Sequence, residues 1–251
     1  MAVVLTRPLQ EARRWAERLR EHGVDAVLLP LIDIAPAPDL PALRQAAEQV
    51  DRYAAVMFVS ANAVHGFLAA GARPQRTRCW APGPATRDAL LAAGLPAQRI
   101  DAPAADAEQF DSESLWQQVR DQLRAGDRLL LVRGGDAQGR PQGRDWIVQQ
   151  LAARGVAVET VVAYVRRSPT WSEAERSVAR RAAGDGTWWL FSSSEGAAHL
   201  AQLLPGQDWS GARAVATHPR IAQTVQSLGF GEVRTARPGL PDVLASIESA
   251  R

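Results

Sequence analysis

A construction of strand, hydroxyl residue and helix occurs twice in this chain and constrains its fold more than any other feature. Residues 56–68 begin as an apolar run and, after Ser60, continue with the spacing of a helix. Residues 189–200 repeat this construction around Ser193. Serine suits such a boundary because its oxygen accepts hydrogen bonds from N–H groups that the first helical turn leaves without partners. Each copy is therefore predicted to be a β-strand followed by a capped α-helix.

Two further pairs of segments recur in the same order along the chain. They are residues 84–94 with 219–229, and residues 5–24 with 131–156. Strands that alternate with helices form parallel sheets, because a helix supplies the crossover that a parallel connection needs. We therefore predict a duplicated α/β domain. Tandem halves that divide near Ala125 fit this repeat as well as a discontinuous arrangement does.

The absence of lysine narrows the chemistry that is open to this chain. All 29 basic residues are arginine, and Cys79 is the only cysteine. Without lysine, the chain has no Schiff-base, pyridoxal phosphate or phosphate-loop chemistry. The four histidines lack the HxH and HExxH spacings, and a single cysteine builds neither an internal disulfide nor a cysteine metal site. We expect no metal and no common cofactor.

The charge pattern indicates a partner that is an acidic small molecule. The formal net charge is only +2 and the arginines are scattered, whereas a nucleic-acid interface needs a clustered basic face. No apolar run approaches the roughly 20 residues of a membrane span, and the N-terminus lacks a leader pattern. We expect a cytoplasmic monomer with no nucleic-acid and no membrane partner. The arginine fork suits carboxylates, which favours an acidic ligand.

Ligands of parallel α/β sheets bind beyond the carboxyl ends of the strands. In this chain those ends are rich in hydroxyl groups and in helix starts, which bind anions through oriented amides and the helix dipole. The candidate substrate-binding residues are Arg7, Ser60, Ala61, Asn62, Gly83, Pro84, Ala85, Ser112, Arg133, Gly134, Ser193 and Ser194. Simple helix capping is the alternative for the serines and Asn62, and a surface ion pair is the alternative for the arginines.

Several motifs, taken together, resemble uroporphyrinogen-III synthase. The motifs are Thr-Arg-Pro at residues 6–8, Phe-x-Ser-Ala-Asn-Ala-Val at 58–64, Gly-Pro-Ala-Thr at 83–86, Arg-Gly at 133–134, and a long strand that leads to Tyr164. They occur in the order that the family has and cover the whole chain.

The resemblance implies two similar α/β lobes, duplicated flavodoxin-like units with parallel sheets, joined by a two-stranded β linker. One lobe then combines both chain ends, residues 1–33 and 168–251, and the other consists of residues 41–161. The linker strands are residues 34–40, whose two prolines favour an extended path, and residues 162–167.

The family converts hydroxymethylbilane, a linear tetrapyrrole, into uroporphyrinogen III. Water leaves, the chain closes and the last pyrrole ring, ring D, is inverted. The resemblance implies this cofactor-free, cyclising hydro-lyase reaction of tetrapyrrole and heme biosynthesis. Pyrrole nitrogen can itself expel hydroxide and give an azafulvene, so the enzyme mainly has to position a flexible substrate. A non-catalytic two-lobed binding or regulatory module for an acidic small molecule is the alternative.

The resemblance also assigns two catalytic candidates, Tyr164 and Thr86. Tyr164 matches the family's cleft tyrosine and is a candidate proton donor for the departing hydroxyl, whereas a half-buried strand tyrosine is the structural alternative. Thr86 matches the family's cleft threonine, whereas a structural residue of a first helical turn is the alternative. The chain departs from the family pattern at Val59, at residues 217–220 in place of a second Gly-Pro-x-Thr, and in a long loop at residues 135–143.

Overall fold

The structure is a computed structural model that describes residues 2–104 and 111–248. The chain falls into two compact units. Unit 1 consists of Met1–Asp33 and Arg167–Arg251, and unit 2 consists of Ile34–Arg166. Both units are α/β with parallel sheets, so the predicted fold class is confirmed.

Strands and helices alternate along most of the chain. The strands are β1 (Ala2–Leu5), β2 (Asp25–Leu28), β3 (Asp33–Pro36), β4 (Ala55–Phe58), β5 (Arg78–Trp80), β6 (Ile100–Asp101), β7 (Arg128–Gly135), β8 (Ala157–Arg167), β9 (Trp188–Phe191), β10 (Arg213–Ala216) and β11 (Glu232–Thr235). The helices are α1 (Leu9–Glu21), α2 (Leu40–Glu48), α3 (Ala61–Ala69), α4 (Pro84–Ala92), α5 (Ser112–Val119), α6 (Trp146–Ala153), α7 (Glu173–Ala182), α8 (Ser194–Leu203), α9 (Pro219–Ser227) and α10 (Leu240–Glu248). Across the described ranges, no helix has the length and apolar character that crossing a membrane requires.

Unit 1 contains a five-stranded sheet in the order β11-β10-β9-β1-β2. All four neighbouring pairs are parallel. Numbered within the unit, this is the flavodoxin-like order 2-1-3-4-5, whose topological switch point lies between the first and third strands. In unit 1 those strands are β1 and β9.

Unit 2 contains a six-stranded sheet in the order β3-β8-β7-β4-β5-β6. The pairs from β8 to β6 are parallel. When β7 is taken as the first strand, these five strands again follow the order 2-1-3-4-5, and the switch point lies between β7 and β4. Strand β3 is an additional edge strand next to β8.

The repeated segments of the sequence occupy equivalent places in the two sheets. Strands β4 and β9, which precede Ser60 and Ser193, are both third strands, and β1 and β7 are both first strands. Unit 1 takes its first two strands from the start of the chain and its last three from the end. Each sheet therefore combines strands from both halves of the chain, and the sequence repeat does not produce a tandem division of the sheets.

Apolar side chains cover both faces of each sheet. In β9, Trp189 and Phe191 belong to the core on one face, and Trp188 and Leu190 belong to the core on the other face. Strand β4 divides its side chains in the same way. Every residue of both strands is buried, as is typical of parallel strands that helices cover on both faces.

Three local features differ from the sequence-based expectation. The two-residue strand β6 was not predicted, because so short a segment shows no periodicity. Strand β7 continues to Gly135, the first residue of the segment 135–143 that was expected to be a loop. Strand β8 is one strand of 11 residues where a domain strand and a separate linker strand were expected, and a register shift lies opposite it between Arg133 and Gly134. The linker segments 34–40 and 162–166 lie within unit 2, and the predicted domain division stays a prediction.

Candidate functional site

Ser60 begins helix α3 at the carboxyl end of β4. Its Oγ atom accepts a hydrogen bond from the Ala63 N–H at 3.2 Å. Ala61 and Asn62 form the first helical turn behind this cap. Ser193 does the same for helix α8 in unit 1, where its Oγ accepts from the Gly196 N–H at 3.4 Å. Both serines are therefore N-caps at the ends of third strands, and their helices present first-turn amides there.

Tyr164 lies beside Ser60 in unit 2. Its hydroxyl oxygen is 3.1 Å from Ser60 Oγ, and the residue is only 7% exposed. The register shift after Arg133 brings Gly134 opposite Tyr164. A β-carbon at Gly134 would lie 2.6 Å from Cζ of the tyrosine ring. Glycine at this position therefore makes room for the ring.

Gly66 brings helix α3 into direct contact with strand β8. A β-carbon at this position would lie 2.3 Å from the Ala163 carbonyl oxygen, which no larger residue can accept without a backbone shift. Ala163 directly precedes Tyr164, so this contact sets the distance between α3 and the tyrosine. Sequence reasoning missed Gly66. A glycine inside an otherwise alanine-rich helix is the signal that could have found it.

Arg133, at the end of β7, is held by the chain itself. Its guanidinium is 2.7 Å from the Asp145 carboxylate and donates to the Arg144 carbonyl at 3.1 Å. The side chain is only 6% exposed, and its Nε finds no partner among the described residues. A β-carbon at Gly143 would lie 2.6 Å from the guanidinium. Arg133 therefore anchors the loop that precedes helix α6.

Arg7, at the end of β1, is the counterpart of Arg133 in unit 1. Its guanidinium lies 3.6 Å from the Glu11 carboxylate and 4.6 Å from the centre of the Trp15 ring. Burial lowers the pKa of Arg7, and the Glu11 carboxylate opposes this shift. Both predicted arginines thus already have a carboxylate partner within their own unit.

Ser112 is the first residue of helix α5, but the cap is Asp111. The Asp111 carboxylate accepts from the Ser114 N–H at 2.8 Å. The next residue, Glu113, forms an ion pair with Arg144. This pair ties the start of α5 to the loop that Arg133 anchors.

The two fourth strands end differently in the two units. In unit 2, helix α4 begins after Gly83 with Pro84 and Ala85, and Thr86 is buried in its first turn with 4% exposed. In unit 1, His218 caps helix α9, and its Nδ1 accepts from the Arg220 N–H at 3.1 Å. The departure from the family pattern at residues 217–220 therefore supplies a side-chain cap where unit 2 has glycine.

The structure divides the predicted site residues between the units. Arg7, Ser193 and Ser194 belong to unit 1, and the remaining predicted site residues belong to unit 2. The Oγ of Ser194 is buried and has no hydrogen-bond partner in the part of the chain that the structure describes. Of the predicted residues, Ser60 and Gly134 both lie next to Tyr164, Ser60 at its hydroxyl and Gly134 at its ring.

These features define a class of protein with two flavodoxin-like sheets and hydroxyl-rich helix starts at both switch points. Such ends suit a ligand that carries several carboxylates, because amides at helix starts bind anions. Within residues 2–104 and 111–248, no three His, Cys, Asp or Glu side chains are grouped so that they could hold a metal ion.

Comparison with known proteins shows the particular family. The family model HEM4, described as uroporphyrinogen-III synthase HemD, matches residues 13–244, and the chain belongs to this family. The chain is 28% identical to the uroporphyrinogen-III synthase of Synechococcus elongatus over 98% of its own length and 94% of that relative. It is 27% identical to the Escherichia coli K12 protein of the same name over 94% of its own length and 95% of that relative.

Solved structures show the same fold. The uroporphyrinogen-III synthetase of Helicobacter pylori matches with a TM-score of 0.63 at 14% identity and covers 100% of this chain and 99% of its own. A mutant uroporphyrinogen III synthase of Thermus thermophilus matches with a TM-score of 0.56 at 16% identity and covers 100% of this chain and 98% of its own.

Proposed function

We propose that this protein converts hydroxymethylbilane into uroporphyrinogen III, the cyclising step of tetrapyrrole and heme biosynthesis. Family membership and relatives of this name over nearly the full chain support this reaction. The observation that carries the proposal within the structure is the contact between Tyr164 and Ser60 at the switch point of unit 2. A proton-bearing hydroxyl at the carboxyl ends of the strands, where ligands of such folds bind, supports the proposal.

Tyr164 is proposed to act as the general acid. Its O–H gives a proton to the hydroxyl oxygen of hydroxymethylbilane, the C–O bond breaks, and water leaves. The electron pair of the adjacent pyrrole nitrogen replaces the lost bond and leaves a cationic azafulvenium end. Attack by the substituted position of ring D, followed by rearrangement, closes the macrocycle with that ring inverted. A proton released in these later steps restores the phenol, so only water is lost overall.

Substrate positioning is proposed to supply most of the rate enhancement, because the substrate ionises by itself. The first-turn amides after Ser60, Gly83 and Ser193 are proposed to bind acetate and propionate groups, with the help of the helix dipoles. Arg7 and Arg133 are proposed to act at the periphery of the bound substrate, since each already pairs with a carboxylate of its own unit. Thr86 is proposed to contribute less than Tyr164.

The test is turnover by the pure protein after treatment with a chelator and without any added cofactor. We expect uroporphyrinogen III as the product, because we propose that the reaction needs neither metal nor cofactor. We also propose that the protein acts as a cytoplasmic monomer. The product isomers are separated by chromatography after oxidation. Exclusive formation of the type I isomer at the spontaneous rate would contradict the assignment and favour a non-catalytic binding module for an acidic small molecule.

A further inference from the structure

We infer that Ser60 is a positioning residue for Tyr164, and that Gly66 and Gly134 create the place in which the two hydroxyl groups meet. This inference rests on the proposed function. It assigns Ser60 a task beyond contact with substrate, namely to orient the phenol and to stabilise the phenolate that remains after proton transfer.

The hydrogen-bonding capacity of Ser60 permits this role. A serine hydroxyl has one donor and two acceptor sites. The Ala63 N–H occupies one acceptor site at 3.2 Å, and this bond orients the hydroxyl oxygen at the start of helix α3. The Ser60 O–H remains available for the Tyr164 oxygen at 3.1 Å.

The direction of this bond determines where the phenol proton points. When Ser60 donates to Tyr164, the phenol O–H is free to point towards the departing hydroxyl of the substrate. After the proton has moved, the same Ser60 O–H donates to the phenolate, and a bond to a charged acceptor is stronger than one to a neutral acceptor. The positive end of the α3 dipole also favours negative charge there. Ser60 therefore stabilises the product of proton transfer more than the ground state.

Two glycines make this geometry possible. Gly134 leaves room for the tyrosine ring, which would be 2.6 Å from a β-carbon at that position. Gly66 allows α3 to lie on the Ala163 carbonyl, which would be 2.3 Å from a β-carbon. Gly134 on β7 thus fixes the position of the Tyr164 ring, and the contact of Gly66 with β8 fixes the position of the helix that Ser60 caps.

Unit 1 shows that a serine cap alone does not need this arrangement. Counting from Ser193, the residue that corresponds to Gly66 is His199, and the carbonyl that its side chain reaches belongs to Leu31, which is followed by Ile32 and not by a tyrosine. Ser193 nevertheless caps its helix. The two glycines of unit 2 therefore serve the tyrosine and not the cap.

A double-mutant cycle separates positioning from capping. We expect Tyr164→Phe to lower kcat by about tenfold to a hundredfold, which is the loss of one general acid. Ser60→Ala is expected to lower kcat by about tenfold in the wild-type background but by less than about twofold in the Tyr164→Phe background, because its effect acts through the phenol. Loss of the cap alone would lower kcat by the same factor in both backgrounds and would overturn the inference.

Ser193→Ala is the matched control, since it removes the equivalent cap in unit 1, which contains no tyrosine. Its effect on kcat is expected to be the same with and without Tyr164→Phe. Ser60→Thr, which keeps both the hydroxyl and the capping ability, is expected to restore most of the kcat lost in Ser60→Ala. No restoration by threonine would also contradict the inference.

The inference and the proposed function fail in different ways. A wild-type protein that yields only the type I isomer would overturn the function. The contact is then measured by chemical denaturation of Ser60→Ala, Tyr164→Phe and the double variant. Destabilisation by the double variant that is smaller than the sum of the single effects supports the contact, and additive effects overturn it.

Discussion

Unit 1 and unit 2 share a strand order but close the same gap between helix and strand in different ways. In unit 1, His199 Nδ1 on the helix donates to the Leu31 carbonyl at 2.7 Å. In unit 2, the equivalent position is Gly66, and the helix lies directly on the Ala163 carbonyl. The His199 side chain spans the gap between helix and strand in unit 1, whereas in unit 2 the helix and the strand are in direct contact. The closer approach in unit 2 is what brings a helix cap within reach of Tyr164.

A second pair of equivalent positions shows the reverse difference. In unit 2, the Asp51 carboxylate accepts hydrogen bonds from the N–H groups of Gln75, Arg76 and Thr77. In unit 1, Gly184 replaces Asp51 and lies next to Gly211, whose β-carbon would be 3.7 Å from the Gly184 Cα. Here unit 2 uses a side chain, whereas unit 1 has glycines with ordinary space around them. The very close contact at Gly66 is therefore a local feature of unit 2 and has no equivalent at this second pair of positions.

The largest effect is expected when the close contact of unit 2 is broken with Gly66→Ala. The added β-carbon meets a backbone carbonyl that cannot rotate away, so we expect a loss of about 3 kcal/mol in the free energy of unfolding. We also expect kcat to fall with the displaced Tyr164. Urea denaturation and steady-state kinetics measure both. Gly184→Ala is the control, because nothing described lies within 4 Å of its added β-carbon. Similar losses in both variants would contradict the comparison.

The next prediction compares Arg133 and Arg7, the arginines at the ends of the first strands of the two units. Asp145→Ala leaves the buried guanidinium of Arg133 without its carboxylate partner, and because Asp145 itself is 62% exposed we expect a cost of about 2 kcal/mol in the free energy of unfolding. Glu11→Ala is expected to cost only about 0.5 kcal/mol, because its pair with Arg7 is long and partly exposed and the Trp15 contact remains. Denaturation midpoints of the two variants test the difference. Equal costs would show that the two arginines are equivalent.

Much of this comparison could be predicted from the sequence, and the part that could not depends on long-range contacts. The repeat around Ser60 and Ser193 correctly predicts two capped helices after third strands. The helix Leu9–Glu21 also follows local signals, namely its apolar spacing and the glycine, Gly23, that comes after its end. The recombination of strands between the sheets is not encoded in any local pattern.

The site was predictable only in part for the same reason. Helix caps are local, so the serine positions follow from the chain itself. The contact between Ser60 and Tyr164 joins residues that are 104 positions apart, and it depends on a register shift that no single segment reveals. The pair of Arg133 with Asp145 was missed because the loop between them has no periodicity. His218 was missed as a cap because histidine is rarely used in that role.

A pH-dependent effect is expected for Asp51, which has no titratable counterpart in unit 1. Burial would raise the pKa of its carboxyl group, but hydrogen bonds from the N–H groups of Arg76, Thr77 and Gln75 and from the Thr77 hydroxyl outweigh it, so the pKa is lowered. A lowered pKa in the folded state stabilises the protein above the unfolded value of about 3.9. This stabilisation is lost as the pH falls through the folded value.

The measurement compares the wild type with Asp51→Asn by urea denaturation at several pH values. At neutral pH we expect the variant to be less stable by about 1.5 kcal/mol, a modest value because water screens this exposed carboxylate. The difference in stability should shrink below about pH 4, where Asp51 of the unfolded wild type begins to take up a proton before Asp51 of the folded protein does. A difference that is constant with pH would mean that the charge of Asp51 does not contribute.

The smallest effect concerns the switch points themselves. In unit 1, the Thr6 hydroxyl donates to the Leu190 carbonyl at 2.6 Å and thus joins the first and third strands. The strand registers make Val132 and Met57 the corresponding residues of unit 2. Thr6→Val is expected to cost about 1 kcal/mol in the free energy of unfolding, the net contribution of one hydrogen bond.

The reciprocal variant Val132→Thr decides whether the two switch points have the same geometry. If they do, the new hydroxyl reaches the Met57 carbonyl, and the variant should differ from the wild type by less than about 0.5 kcal/mol, since the new bond offsets the burial of a polar group. If the strands of unit 2 are spaced differently, the hydroxyl is buried without a partner at a cost of about 1–3 kcal/mol. Because Val132 is fully buried on the same strand as Arg133 and Gly134, this small difference reports whether the strand beneath Tyr164 is spaced as in unit 1 or is specialised for the tyrosine.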